Sequence, residues 1–104
     1  MNVAHRSEIS PLCDIHRQPM DLFEYRGALF RVTAFSCKMS GCSRAYDSRT
    51  GYFNVVNGRI ALQKNQRLCR QDNTPMFLES VLQNGIEVWR CGQIDCDGKV
   101  RCRP

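Results

Sequence analysis

The sequence predicts a small, metal-stabilised, mostly-β fold made of two tandem antiparallel modules. Three observations carry this reading: seven cysteines in 104 residues that fall into two groups, an internal repeat that brackets those groups, and hairpin turn signals with no segment of helical period. The first group is Cys13, Cys37 and Cys42, the second is Cys69, Cys91 and Cys96, and Cys102 trails. Each group occupies a stretch of roughly 40 to 50 residues, a size at which a hydrophobic core alone seldom sustains a fold. A cross-link or a bound ion has to supply the missing cohesion.

Metal is the better reading. The opening MNVAHRSEISPL carries charge and lacks the apolar run of a secretory signal, and no stretch approaches the ~18 apolar residues of a membrane span. The expected compartment is therefore the reducing cytoplasm, where closely spaced cysteines bind metal more often than they pair.

The repeat sets the order of elements. Leu12-Cys13 matches Leu68-Cys69, Pro19-Met20 matches Pro75-Met76, and Cys37-x4-Cys42 matches Cys91-x4-Cys96. This divides the chain into a flexible N-terminus (1–11), a first module with an added hairpin (12–62), a linker (63–67) and a second module (68–104). In the first module, MDLFEY and LFRVTAFSC flank Arg26-Gly27 as a hairpin of ambiguous loop length and register. Asn57-Gly58 then joins YFNVV to RIAL as an extra strand pair. In the second module Asn84-Gly85 separates MFLESVLQ from IEVWRC, and Asn-Gly is the preferred pair of a two-residue type I′ turn. That turn pairs Val81 with Val88, Glu79 with Arg90 and Leu78 with Cys91. Met76, Leu78, Leu82, Trp89 and Cys91 then form the face expected to cover the metal.

The first candidate ligand set is Cys13, His16, Cys37 and Cys42, a C-x2-H pair and a C-x4-C pair separated by twenty residues. Zinc takes four N or S donors in a tetrahedron, and short-spaced pairs at the ends of a hairpin supply that geometry. In the second set, Cys69, Asp72, Cys91 and Cys96, an aspartate stands where the first has His16. Three alternatives are open: Asp72 is the fourth ligand, Cys102 replaces it, or the module holds no structural metal.

These knuckle pairs, Cys13/His16, Cys37/Cys42, Cys91/Cys96 and Cys69 with Asp72, give residues 12–102 a resemblance to the zinc-ribbon or rubredoxin-like proteins, in the tandem two-ribbon form found among small bacterial proteins of unknown function. The resemblance implies antiparallel ribbons with a metal clamped between two knuckles. The x4 spacings, the histidine and the aspartate depart from the four thiolates of an iron-binding rubredoxin.

Net charge is +5, and two zinc-loaded three-cysteine sites leave about +3. Its distribution is more informative than its sum. No acid lies between Asp47 and Asp72, while Arg49, Arg59, Lys64, Arg67 and Arg70 do, with Tyr46, Tyr52 and Phe53 beside or within the stretch. Basic groups with adjacent aromatics suit single-stranded nucleic acid, so Arg59, Lys64, Arg67 and Arg70 are the candidate contact strip. The expected function is a non-catalytic zinc-binding adaptor that contacts nucleic acid or a protein, with no membrane and no small-molecule substrate. Two other classes compete with it. A hydrolytic zinc enzyme would need an open position at the second site, with Asp95 or Asp97 as base, and rubredoxin-like electron transfer would need bound iron.

Overall fold

The computed structural model describes residues 9–26 and 31–103. Eight strands appear in chain order: β1 (Met20–Arg26), β2 (Arg31–Cys37), β3 (Arg44–Asp47), β4 (Gly51–Val56), β5 (Arg59–Leu62), β6 (Met76–Val81), β7 (Glu87–Cys91) and β8 (Lys99–Cys102). The first five form one antiparallel sheet in sequential order, and β6-β7-β8 form a second. Among the described residues there is no helix, and so none long and apolar enough to cross a membrane.

The repeat extends further than the cysteine spacing shows. Met20↔Cys37 in the first sheet corresponds to Met76↔Cys91 in the second, and Leu22↔Phe35 corresponds to Leu78↔Trp89. A third strand follows each second knuckle, with Phe35↔Tyr46 matched by Trp89↔Val100 and Ser36↔Ala45 by Arg90↔Lys99. Strands β3 and β8 were not expected from the sequence. Each is only four residues long, and neither follows an Asn-Gly pair of the kind that closes β4 on β5.

One Asn-Gly turn joins the strands expected of it, and the other does not give the expected register. Asn57 and Gly58, at φ 52° and 75°, form the two-residue turn of left-handed residues that closes β4 on β5. At Asn84-Gly85 only Gly85 has positive φ, 84°, and Gly85 N–H donates to Leu82 O while Leu82 N–H donates to Ile86 O. This is a three-residue loop, Gln83 to Gly85, with glycine at its left-handed position. The expected pairs Val81–Val88, Glu79–Arg90 and Leu78–Cys91 therefore do not form. Ser80 pairs with Val88 and Val81 with Glu87, a bulge at Glu79 shifts the register again, and Leu78 then opposes Trp89. Two one-residue slips sum to an even number, so Met76, Leu78, Trp89 and Cys91 still share a face. Leu82 is left 40% exposed. In the first hairpin Arg26 pairs with Arg31, so Arg26 belongs to the strand, while Gly27 lies outside the described residues.

The sheets share one core. Tyr46 and Tyr52 from the first sheet pack with Phe77 and Leu78 from the second, around Cys13, Met20 and Cys37. Ring centroids lie 4.9 Å apart for Tyr46–Tyr52 and 5.7 Å for Tyr46–Phe77, both tilted contacts that suit aromatic quadrupoles. Burying phenols requires partners for their hydroxyls. Tyr52 Oη accepts from Leu78 N–H at 2.8 Å and donates to Leu12 O at 2.6 Å, and Tyr46 Oη donates to Pro75 O at 2.7 Å. Of the terminal stretch 1–11, residues 1–8 lie outside the described residues. Ile9 packs on this core, and Pro11 is buried with its carbonyl accepting from Met20 N–H. The segment 63–67 is tied down as well. The Gln66 side-chain amide bonds both the N–H and the C=O of Tyr52, and Gln63 accepts from Arg44.

Candidate metal centres

Each module opens its centre with the same loop. Cys13 O accepts from Arg17 N–H and Cys13 N–H donates to Gln18 O; Cys69 O accepts from Asn73 N–H and Cys69 N–H donates to Thr74 O. The chain reverses through a left-handed residue in both, Arg17 at φ 58° and Asn73 at φ 61°. That reversal turns the third residue after the cysteine, His16 or Asp72, back toward the sulfur. The second pair sits where β2 or β7 ends. Met39 N–H points at Cys37 Sγ and Gln93 N–H at Cys91 Sγ, each at 3.4 Å, and Cys42 and Cys96 close these loops by donating to Met39 O and Gln93 O.

The donor atoms of Cys13, His16, Cys37 and Cys42 all lie within 4.8 Å of one another, and so do those of Cys69, Asp72, Cys91 and Cys96. Both groups can hold a metal ion. All seven cysteines are free thiols. In the first centre Cys13 Sγ stands 3.9 Å from Cys42 Sγ, and His16 Nδ1 stands 3.8 Å from Cys13 Sγ and 3.7 Å from Cys37 Sγ. In the second, Cys69 Sγ and Cys96 Sγ are 3.8 Å apart, and Cys91 Sγ lies 3.4 and 3.5 Å from the Asp72 oxygens. A tetrahedral ion with metal–sulfur bonds of ~2.3 Å has sulfur–sulfur edges of about 3.8 Å, and sulfur–nitrogen or sulfur–oxygen edges of about 3.6 Å. The observed separations match such edges, and the residues present fit a tetrahedral ion.

Electrostatics separates the two kinds of donor. Burial pushes the Cys13 and Cys91 thiols up to about 12, with neighbouring sulfurs adding to the shift. An entering cation must therefore displace their protons. Asp72 is exposed, and the Thr74 N–H donating to its carboxylate holds it below the usual carboxylate value. It is ready to ligate as an anion.

Cys102 belongs to neither group. It sits on β8 opposite Glu87, and the second group that could hold an ion includes Asp72 in its place. Two contributors escaped the sequence reading. Gly98 N–H donates to Cys96 Sγ at 3.3 Å, and a Cβ at Gly98 would come within 2.7 Å of Cys69 Sγ, so the backbone must pass the cluster closely there. Gln71 Oε1 accepts from Cys96 Sγ. The Asp97-Gly98 pair was the available signal for the first of these; Gln71 had none.

The candidate nucleic-acid strip fares differently. Arg59, Lys64, Arg67 and Arg70 are all exposed, on β5, along the segment leading to Cys69 and just after it. The aromatics expected beside them are not surface groups: Tyr46, Tyr52 and Phe53 are each at most 2% exposed and belong to the core. Trp89 is the aromatic that a strip residue reaches, with the Arg67 guanidinium 5.0 Å from its ring centroid. Asp95 and Asp97, the candidate bases, are exposed beside Cys96. Arg90 lies 3.7 Å from Asp97.

No family model, no curated protein and no solved structure matches this chain.

Proposed function

We propose that the protein is a non-catalytic, zinc-stabilised binding module of tandem zinc-ribbon type. The observation that carries this reading is the set of donor separations of 3.7–3.9 Å in the first centre, which joins the Cys13-His16 knuckle to Cys37 and Cys42 in a distant part of the chain. Zinc is favoured over iron because the first centre includes an imidazole nitrogen and the second a carboxylate, whereas a rubredoxin iron takes four thiolates. A structural role is favoured over hydrolysis because four protein donors converge in each centre, and a catalytic zinc keeps a position for water. The scaffold would present the basic strip Arg59, Lys64, Arg67 and Arg70 to a phosphate backbone. The exposed Ile60 and Leu62 on the added hairpin support a protein contact instead.

Metal counting by native mass spectrometry tests the first part: two zinc ions in the parent, one in Asp72→Ala and two in Cys102→Ser. A parent that carries no zinc would sink the reading. Salt dependence tests the second part. Binding to a single-stranded oligonucleotide should weaken steeply as salt rises and be lost when the four basic residues are reversed in charge. Binding that ignores both changes rules out phosphate contact.

A further inference from the structure

The two centres repeat each other in backbone but differ in donor chemistry and surroundings. Resting on the reading of both as zinc sites, we propose that the second centre is the exchangeable one and that its metal governs how firmly the two sheets hold together. Three thiolates and a neutral imidazole around a divalent cation leave a net charge of about −1, while three thiolates and a carboxylate leave about −2; the extra anion attracts the cation, so it is the donor type and not the charge that loosens the second centre. A carboxylate oxygen is also the hardest donor in either set and the one for which a soft, sulfur-rich zinc site has least preference. His16 and Asp72 are both exposed, so water and competing ligands reach the fourth donor of either centre, and the donor's chemistry is what sets the two apart.

The surroundings reinforce the difference. Asp72 and Cys96 line an open cleft of about 590 Å³, together with Gln71, Gln93, Asp95 and Asp97. An entering or leaving cation therefore passes carboxylates on one side of the centre. A chelator meets the exposed donor and the half-buried last cysteine first at either centre, His16 with Cys42 or Asp72 with Cys96, and only at the second is that exposed donor a carboxylate.

The loops of this centre also grip the other sheet. Pro75, which follows the Asp72–Thr74 turn, accepts the Tyr46 hydroxyl at 2.7 Å. Gly92, next to Cys91, lies so close to Tyr46 that a Cβ there would overlap the phenol oxygen and stand 2.8 Å from Pro75 O. Tyr46 of β3 is thus clamped between the two knuckles that the ion ties together. Releasing the ion returns protons to the sulfurs, unties the knuckles and removes the constraint that keeps the clamp shut.

The test uses the full chain loaded with two zinc ions and challenged with EDTA, with zinc number followed by native mass spectrometry and backbone protection by hydrogen exchange. One ion should leave about tenfold or more faster than the other. Asp72→His should slow that fast loss toward the rate of the first centre, and Cys42→Ser should leave only the fast ion. In the one-zinc state, exchange should rise over 75–81 and 44–52 while 12–20 stays protected. Equal release rates, or a fast phase unchanged in Asp72→His, would overturn the exchange assignment. Identical protection in the one- and two-zinc forms would overturn the clamp. Protein that never carries zinc would instead defeat the underlying zinc reading, an outcome distinct from both.

Discussion

Individual residues show where the pattern in the chain was sufficient and where it was not. The grouping of the eight candidate donors was legible because C-x2-H, C-x2-D and C-x4-C spacings let both side chains of a pair reach one point. The turns that bring them together were less legible. Asn73 is a residue type that tolerates the left-handed region, but Arg17 adopts it without advertising it. Replacing Asn73 with valine should cost ~1–2 kcal/mol, while Asn73→Gly should be neutral within about 1 kcal/mol. Thermal unfolding of the loaded protein measures both. Protonation gives a second prediction. Because burial raises the Cys13 and Cys91 thiols from 9.0 to about 12, the metal-free fold holds those protons more tightly than the unfolded chain does. The stability this confers is fully present below pH 9.0 and is lost as pH rises toward about 12. Loaded protein runs the other way, losing its metal and its stability as acid reprotonates the sulfurs. The thermal midpoint of stripped protein should therefore fall as pH rises from 9.0 toward about 12, and that of loaded protein should fall as pH drops into the acid range. Zinc uptake near neutrality should release about three protons per site.

At the level of elements, strong turn chemistry located the hairpins but did not fix their register. Asn-Gly occurs twice in the chain and closes a two-residue loop once; at the second occurrence Gln83 joins the loop and the bulge at Glu79 shifts the register again. Registers depend on cross-strand packing as much as on the turn, and the requirement that Leu78, Trp89, Met76 and Cys91 face the core selects among slips of even size. The aromatic run at Tyr52-Phe53 was misjudged for a related reason. Alternation in a strand buried on both faces leaves no outward position, and Phe53 is covered by Ala34 and Ala45 on the side opposite Tyr52. Tyr52 itself joins the elements, since its hydroxyl bridges Leu12 O and Leu78 N–H. Tyr52→Phe keeps the ring and leaves both backbone groups unpaired, at a cost of ~1–3 kcal/mol in denaturant unfolding.

For the molecule as a whole, the interlocking of two sheets around one aromatic core was not readable, because the repeat describes each module alone. The Tyr46–Pro75 and Tyr52–Leu78 hydroxyl bonds, the Leu12–Leu78 backbone bond and the Arg17–Glu87 ion pair at 2.6 Å all run between the modules. The ion pair is partly exposed and adds little on its own. Gly92 is the tightest of these junctions. Gly92→Ala should separate the sheets locally, seen as a lower thermal midpoint together with faster amide exchange at Leu78. An unaltered midpoint would show that the junction has room to spare. The sulfur spacing has one last implication, for handling the protein. Cys13 and Cys42, and likewise Cys69 and Cys96, already stand 3.9 and 3.8 Å apart, so a stripped centre in air sits within a small side-chain rotation of a covalent bond that would bar the ion from returning. The metal content of any preparation will record its history of exposure to oxidants as faithfully as its history of exposure to zinc.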